Sequence, residues 1–334
     1  MSGNPTLYDV AREAGVSLAT ASRTLNGSTR RVKDEYRERV HAAAAKLGYT
    51  PNLPAQAVAR GGSATVALLV SDIADPYFSG IAAGVARAAS GAGLAVTIAV
   101  TERDAQRELD LVRVLRGQRP RVIVLAGSRS VDEPSRDTLV EELSAFEATG
   151  GRVVVVGATD LPFGTVSIAD ADGARALAIE LLNLGYRRFA VLAGPHDLVT
   201  ARTRTEAFAS ALPERPRIVH GDFTRDGGFA ATAALVREGV LGGDGPDRIE
   251  ALFAVNDLMA IGALAALRDE RLGGRVAVAG FDDIPTARDV TPPLTSVLVD
   301  VEGAGAAAVE IALGARDGAT IPTRVVLRAS TPAR

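Results

Sequence analysis

From residue 65 onward, short runs built almost wholly from Val, Ile, Leu and Ala recur along the chain, with helical patterns between them. They are TVALLV (65–70), LAVTIAV (94–100), RVIVLAG (121–127), RVVVVGA (152–158), VSI (166–168), RFAVLAG (188–194), ALFAV (251–255), RVAVAGF (275–281), TSVLV (295–299) and RVVLRAS (324–330). No other feature narrows the fold as much. A strand with one wet face alternates polar and apolar residues. A near-continuous β-branched run must instead be covered on both faces, and strands that alternate with helices give parallel sheets wrapped by helices. The runs form two sets, so the expected class is α/β with two doubly wound parallel-sheet lobes. The break falls near Thr159–Gly164, giving an N-lobe of about 63–160 and 290–320 and a C-lobe of about 162–288 and 322–334.

In open parallel sheets ligands sit at the carboxyl ends of the strands. After the first run come Asp75, Tyr77 and Phe78, and after the third comes Ser128. Arg204 lies beyond the sixth, Asp222-Phe223 follow RIVHG, Asn256-Asp257 follow ALFAV, and Phe281-Asp282-Asp283 follow RVAVAG. Carboxylates, an amide and a guanidinium bond paired hydroxyls while rings cover apolar sugar faces, so the set suits a neutral polyol bound between the lobes. Plainer alternatives stand beside this. Tyr77 and Phe78 also suit a core, Asn256-Asp257 an N-cap, and Asp282-Asp283 a cap or a solvated turn.

The first 62 residues differ in kind. They carry nine Lys/Arg and five acids, a net +4, although the 334-residue chain as a whole carries −3. A basic head on an acidic body is the footprint of a nucleic-acid reader with a separate second function. Thr6 is placed to cap a helix Leu7–Ala14, whose Leu7, Val10, Ala11 and Ala14 form one apolar stripe. Gly15 permits a tight turn, Ser17 caps a second helix Leu18–Leu25, and Ala21 and Leu25 point inward. A third helix, Asp34–Leu47, buries Tyr36, Val40, Ala43, Ala44 and Leu47. This is helix-turn-helix geometry over residues 1–49, with a three-helix bundle bearing a solvated polar face as the alternative. Residues 50–62, YTPNLPAQAVARGG less its first Tyr, are too short to fold alone and form a linker. The effector-binding and dimerisation domain then spans 63–334.

Other chemistries find little support. The chain has no cysteine, and His41, His196 and His220 are isolated, so no disulfide, metal site or cofactor is expected. No nucleophile-base arrangement, GxGxxG after a strand or GxxxxGK[ST] is present, and no enzymatic activity is expected. The start MSGNPTLYDV lacks the pattern of a signal peptide, and no apolar stretch reaches about 18 residues, so a cytoplasmic protein without membrane contact is expected.

TLYDVAREAGVSLATASRTLNG, followed by ERVHAAAAKLGYTPN, resembles the DNA-binding head of the LacI family of bacterial transcription regulators over Thr6–Asn52. The resemblance implies that Leu18, Ala19 and Arg23 read bases. It implies that Thr6, Ser17, Thr20, Ser22 and Asn26 hold phosphates. In that family the segment after the head is a hinge helix that forms on operator DNA and kinks it from the minor groove. This brings Asn52, Ala55, Gln56 and Val58 to the duplex, with Val58 a shorter wedge than the usual Leu. The motifs DPYF, LGYRRFAVLAG, NDLMAIGAL, VAGFDD, PPLTSV and LRAST extend the resemblance to a periplasmic-binding-protein-like sensor. Arg204, Phe223, Asn256 and Asp282 then fall on effector-contacting positions. Two departures stand out. Ala169-Asp170 replaces the usual Asp-Asn, altering a lobe-bridging contact, and Ala207 replaces a glycine.

The expected function is therefore a repressor. A homodimer, joined through the first lobe as the resemblance implies, binds a pseudopalindromic double-stranded operator under control of a small-molecule effector, most simply a sugar. A purine-like corepressor, a sugar-binding transport component and an enzyme on the doubly wound lobes are the competing readings. The C-terminus RASTPAR has no leucine heptad to suggest a tetramer.

Overall fold

The computed structural model describes residues 5–26, 32–50, 64–130, 135–158, 160–241, 245 and 248–334. The chain divides into two compact units, Met1–Ala64 and Thr65–Arg334.

In the first unit α1 (Leu7–Ala14), α2 (Leu18–Asn26) and α3 (Asp34–Leu47) pack on one small core of Val10, Ala11, Ala14, Ala21, Val40, Ala43 and Ala44. The start of α1 is a full capping box. Thr6 Oγ1 accepts from the Asp9 amide at 3.3 Å, and Asp9 Oδ2 accepts from the Thr6 amide at 3.0 Å. Gly15 ends the helix at φ 63°, the left-handed conformation that the turn into α2 requires. Ser17 Oγ caps α2 by accepting from the Thr20 amide at 3.1 Å. One expectation fails. Tyr36 lies on the right stripe of α3 but in its first turn, past the edge of the core, and is 37% exposed beneath the Arg39 guanidinium.

The second unit holds a six-stranded parallel sheet in the order β11-β5-β4-β3-β1-β2. Its strands are β1 (Thr65–Val70), β2 (Ala95–Val100), β3 (Val122–Ala126), β4 (Arg152–Val156), β5 (Gly164–Ile168) and β11 (Ala319–Ile321). The period-2 alternation explains the unbroken apolar runs. Val66, Leu68, Val70, Val122, Val124, Val154 and Val156 face one core. Ala67, Leu69, Ile123, Leu125, Val153 and Val155 face another, under the helices Ala105–Gly117 and Arg136–Ala148. On the first face the helices Pro76–Gly91 and Val301–Ala312 approach until backbone meets backbone. A side chain at Gly84 would strike the Glu302 carbonyl, and one at Gly305 the Ile81 carbonyl.

A second parallel sheet, β7-β6-β8-β9, is built from β6 (Phe189–Leu192), β7 (Arg217–Val219), β8 (Ala251–Ala254) and β9 (Ala277–Ala279). Beside it β10 (Ser296–Val299) pairs antiparallel with β12 (Thr323–Val326). β5 pairs in parallel with β4, so the segment 164–168 belongs to the first sheet and not, as expected, to the second lobe. Residues 290–299 likewise lie by the second sheet, where Ala279 bridges Thr295 and the Gly280 amide donates to the Thr295 carbonyl at 2.9 Å. The chain thus passes between lobes three times, after Ile168, Val299 and Ile321.

Candidate functional site

In the first unit the face of α2 turned away from α1 and α3 carries Leu18 (49% exposed), Ala19 and Arg23, all exposed, with Thr20 and Ser22 half-buried. The hydroxyls of Ser17 and Thr20 meet at 2.8 Å. Arg23 makes no ion pair with any described residue, in contrast to Arg12 and Arg37, which pair with Asp9 and Asp34 at 2.8 and 2.5 Å. An exposed apolar residue, small hydroxyls and a free guanidinium on one helix face suit phosphate contact and guanine recognition. Asn52, Ala55, Gln56 and Val58 lie outside the described residues, as does the side chain of Asn26.

In the second unit a cavity of about 40 Å³ opens at the carboxyl ends of both sheets. Of the eight side chains expected at an effector site, it brings together Asp75, Tyr77, Phe78, Ser128, Arg204, Phe223 and Asp282. Asn256 does not line it. Its Oδ1 caps the helix Asp257–Asp269, accepting from the Met259 amide at 2.8 Å, so the alternative of an N-cap is the one realised. Its buried Nδ2 has no hydrogen-bond partner among the described residues. Asp257 is structural too. It accepts from Ser296 Oγ at 2.6 Å and from the Ile284 amide at 2.8 Å, which fixes the loop after β9. Asp283 turns away from the cavity and grips Arg328 through both oxygens at 2.6 and 3.0 Å.

The centre of the cavity is Arg204, 2% exposed, on the helix Val199–Ser210. Its Nε donates to Asp170 Oδ1 at 2.8 Å and its Nη1 to the Val255 carbonyl at 2.7 Å. Its Nη2 lies 2.9 Å from Asp282 Oδ1. That oxygen is buried yet receives no aligned hydrogen bond, so the contact is Coulombic. The guanidinium is stacked 3.8 Å from the centroid of the Phe281 ring. Burial works against the guanidinium charge, but Asp170 and Asp282 more than offset it and hold its pKa above the ordinary range.

The carboxyls respond in the opposite sense. Burial pushes Asp282 up to about 7 against the pull of Arg204, and burial also raises Asp75. The Tyr77 hydroxyl is driven well above its usual range by burial and by the fields of Asp282 and Asp170. Asp282 is held at φ 100°, outside the comfortable range for an L-residue, by its amide bond to the Val297 carbonyl at 2.8 Å. Such strain costs about 1–3 kcal/mol and persists where the surroundings over-determine it. Here the effect is to turn the carboxyl toward Arg204.

The lobes meet at one rim of the cavity. Ser128 Oγ accepts from the Thr200 amide at 3.0 Å, the Val199 amide donates to the Arg129 carbonyl at 2.9 Å, and Ser130 bridges Leu198. At the mouth, Arg103 of the first lobe lies 5.9 Å over the ring of Phe223 of the second. Sequence reasoning missed Thr200, Ile168, Gly127, Val156 and Gly157 as lining residues, because nothing in their chemistry distinguishes them. Asp170, which departs from the family pattern, stands at the first turn after β5, a place from which a side chain faces the cleft. Among the described residues no cluster of His, Asp and Glu could hold a metal ion, and no helix is long and apolar enough to cross a membrane.

Residues 6–52 match the family described as bacterial regulatory proteins, lacI family, and residues 178–333 match a periplasmic binding protein-like domain. The chain is 34% identical to the HTH-type transcriptional regulator CelR of Thermobifida fusca, over 97% of this chain and 95% of that one. It is similar to the lac repressor dimer bound to operator and the anti-inducer ONPF (TM-score 0.82, 26% identity, covering 99% of this chain and 100% of that one). It is also similar to CelR in complex with cellobiose (TM-score 0.67, 32% identity, 98% and 99%). A helix-turn-helix head, a two-lobed sensor with its cavity at the strand ends, and this kinship over almost the full chain agree: the chain belongs to the LacI family of bacterial regulatory proteins.

Proposed function

We propose that the protein is a cytoplasmic, non-enzymatic transcriptional repressor. Its homodimer binds a pseudopalindromic operator and loosens or tightens its hold when a sugar occupies the cavity between the lobes. The observation that carries the DNA reading is the exposed face of α2 with Arg23, which makes no ion pair among the described residues. In this reading Leu18, Ala19 and Arg23 meet base edges, and Thr6, Ser17, Thr20, Ser22 and Asn26 meet phosphates. Asn52, Ala55, Gln56 and Val58 form the conditional hinge. The domain limits follow as 1–49 for the head, 50–62 for the hinge and 63–334 for the sensor.

The effector reading rests on the convergence of Asp75, Tyr77, Phe78, Ser128, Arg204, Phe223 and Asp282 on one cavity, and is supported by the cellobiose bound to CelR. In this reading a sugar seated in the cavity changes the angle between the lobes at the rim, where Ser128 Oγ accepts from the Thr200 amide. Occupancy is thereby coupled to lobe angle, and lobe angle to the spacing of the two hinges in the dimer. A ~1000-fold change in operator affinity needs about 4 kcal/mol of difference between the ligand's affinities for the two states.

Selection of bound duplexes from a random library with the purified chain tests the proposal. Two inverted half-sites should be enriched, with affinity falling steeply between about 50 and 200 mM salt as phosphate contacts are screened. A library that stays random after selection overturns it.

A further inference from the structure

We infer that the effector carries a positively charged amine, so that the cavity takes an amino sugar in preference to its neutral parent; this rests on the sensor reading above. Among the described residues the acidic and basic side chains that line the cavity are Asp75, Asp170, Asp282 and Arg204, each 8% exposed or less. One guanidinium faces three carboxyl groups. All three of its nitrogens are engaged within the protein, by Asp170, the Val255 carbonyl and Asp282. Asp75 Oδ1 accepts from the Tyr77 amide at 3.0 Å, and its Oδ2 takes no hydrogen bond from the described residues. The next cation, Arg103, stands at the rim, 4.0 Å from Asp72, and divides its charge between Asp72 and Asp75.

A buried carboxylate in excess is strongly unfavourable unless it is paired or takes up a proton. The excess is shared by Asp75 and by Asp282, whose Oδ1 is buried 2.9 Å from Arg204 Nη2 but receives no aligned hydrogen bond among the described residues. A sugar hydroxyl would supply one donor and leave the charge. An ammonium supplies three donors and the charge. The same logic explains why Asp170 matters. An acid where the family carries an amide adds one negative charge to the wall, so that one guanidinium is divided between Asp170 and Asp282 and a ligand cation would complete the balance. Tyr77 and Phe223 line the same cavity, and aromatic rings are favourable neighbours for an ammonium.

The test is calorimetric titration of the full chain at pH 7 with glucosamine, galactosamine and mannosamine, each against glucose, galactose or mannose and against its N-acetyl form. One amine should bind about tenfold to a hundredfold more tightly than its neutral parent, the range for a hydrogen bond to a charged group. N-acetylation, which removes the charge, should abolish the gain. Asp170→Asn should shrink the gain, because it removes one carboxylate from the wall and leaves the Arg204 charge to Asp282 alone. A neutral parent bound as tightly as its amine, or a gain unchanged by Asp170→Asn, overturns the amine assignment and leaves the sugar-regulator reading intact. Silence from every sugar, charged and neutral, overturns both.

Discussion

Replacement of Arg204 by methionine tests the organisation of the sensor most directly. The side chain has similar length, fills similar space and carries no charge. It removes the ion pair to Asp170 at 2.8 Å, the contact to Asp282 at 2.9 Å and the hydrogen bond to the Val255 carbonyl at 2.7 Å. Asp170 and Asp282 stay buried with no counter-charge. Breaking a buried ionic pair from one side costs about 3–5 kcal/mol, chiefly through the partner left behind. At about 2–4 °C per kcal/mol for a domain of this size, the melting temperature should fall by roughly 6–20 °C. The loss should also depend on pH. Without the guanidinium, which pulls the Asp282 pKa down, Asp282 holds its proton more tightly still, and protonation relieves it. The deficit is therefore smaller at pH 5.5 than at pH 8, growing by at most about 1.4 kcal/mol per pH unit. Urea unfolding followed by far-UV circular dichroism measures both quantities, and adding Asp170→Asn and Asp282→Asn should recover part of the loss. A deficit below about 1 kcal/mol at pH 8 would refute the claim that Arg204 neutralises a buried acidic cluster.

Two further outcomes follow from the same geometry. Asp282 binds its proton more tightly folded, at about 7, than at the ordinary value of 3.8. Its contribution to stability is complete below pH 4 and declines as pH rises to about 7, by no more than about 1.4 kcal/mol per unit. Thermal melts of Asp282→Asn between pH 4.5 and 8 should show a flatter profile than the parent, and parallel profiles would remove Asp282 from the titration. In the head, Arg23→Ala should cost about 1–3 kcal/mol of operator binding and relax the preference at one base pair per half-site. Its far-UV spectrum should stay unchanged, and a loss shared equally by random duplex would instead make Arg23 a phosphate contact.

The runs of buried residues announced the sheets because a two-sided core leaves no room for alternation. Val66 to Val70 and Val153 to Val156 could hardly be anything else. What composition cannot reveal is partnership between strands. The segment 164–168 has the same character as strands of either lobe, and only its register against Val154, Val155 and Val156 assigns it to the first sheet. β7 and β11, of three residues each at sheet edges, present no run long enough to read. Residues that follow a strand end include Asp75, Ser128, Phe223 and Asp282, which line one cavity because strand ends converge there by topology. Asn256 also follows a strand, but its amide oxygen serves the helix it begins. Asp170 was legible as an oddity and illegible as a partner of Arg204, because 34 residues of chain separate the two.

The three passages of the chain between the lobes, after Ile168, Val299 and Ile321, have a mechanical consequence. Three tethers side by side resist sliding and torsion, as a door hung on several pins resists everything except its swing. The fastening at Ser128 and Thr200 sits on the free edge of that door. A regulator of this build possesses one soft coordinate, and whatever the cleft detects must be reported as a single angle.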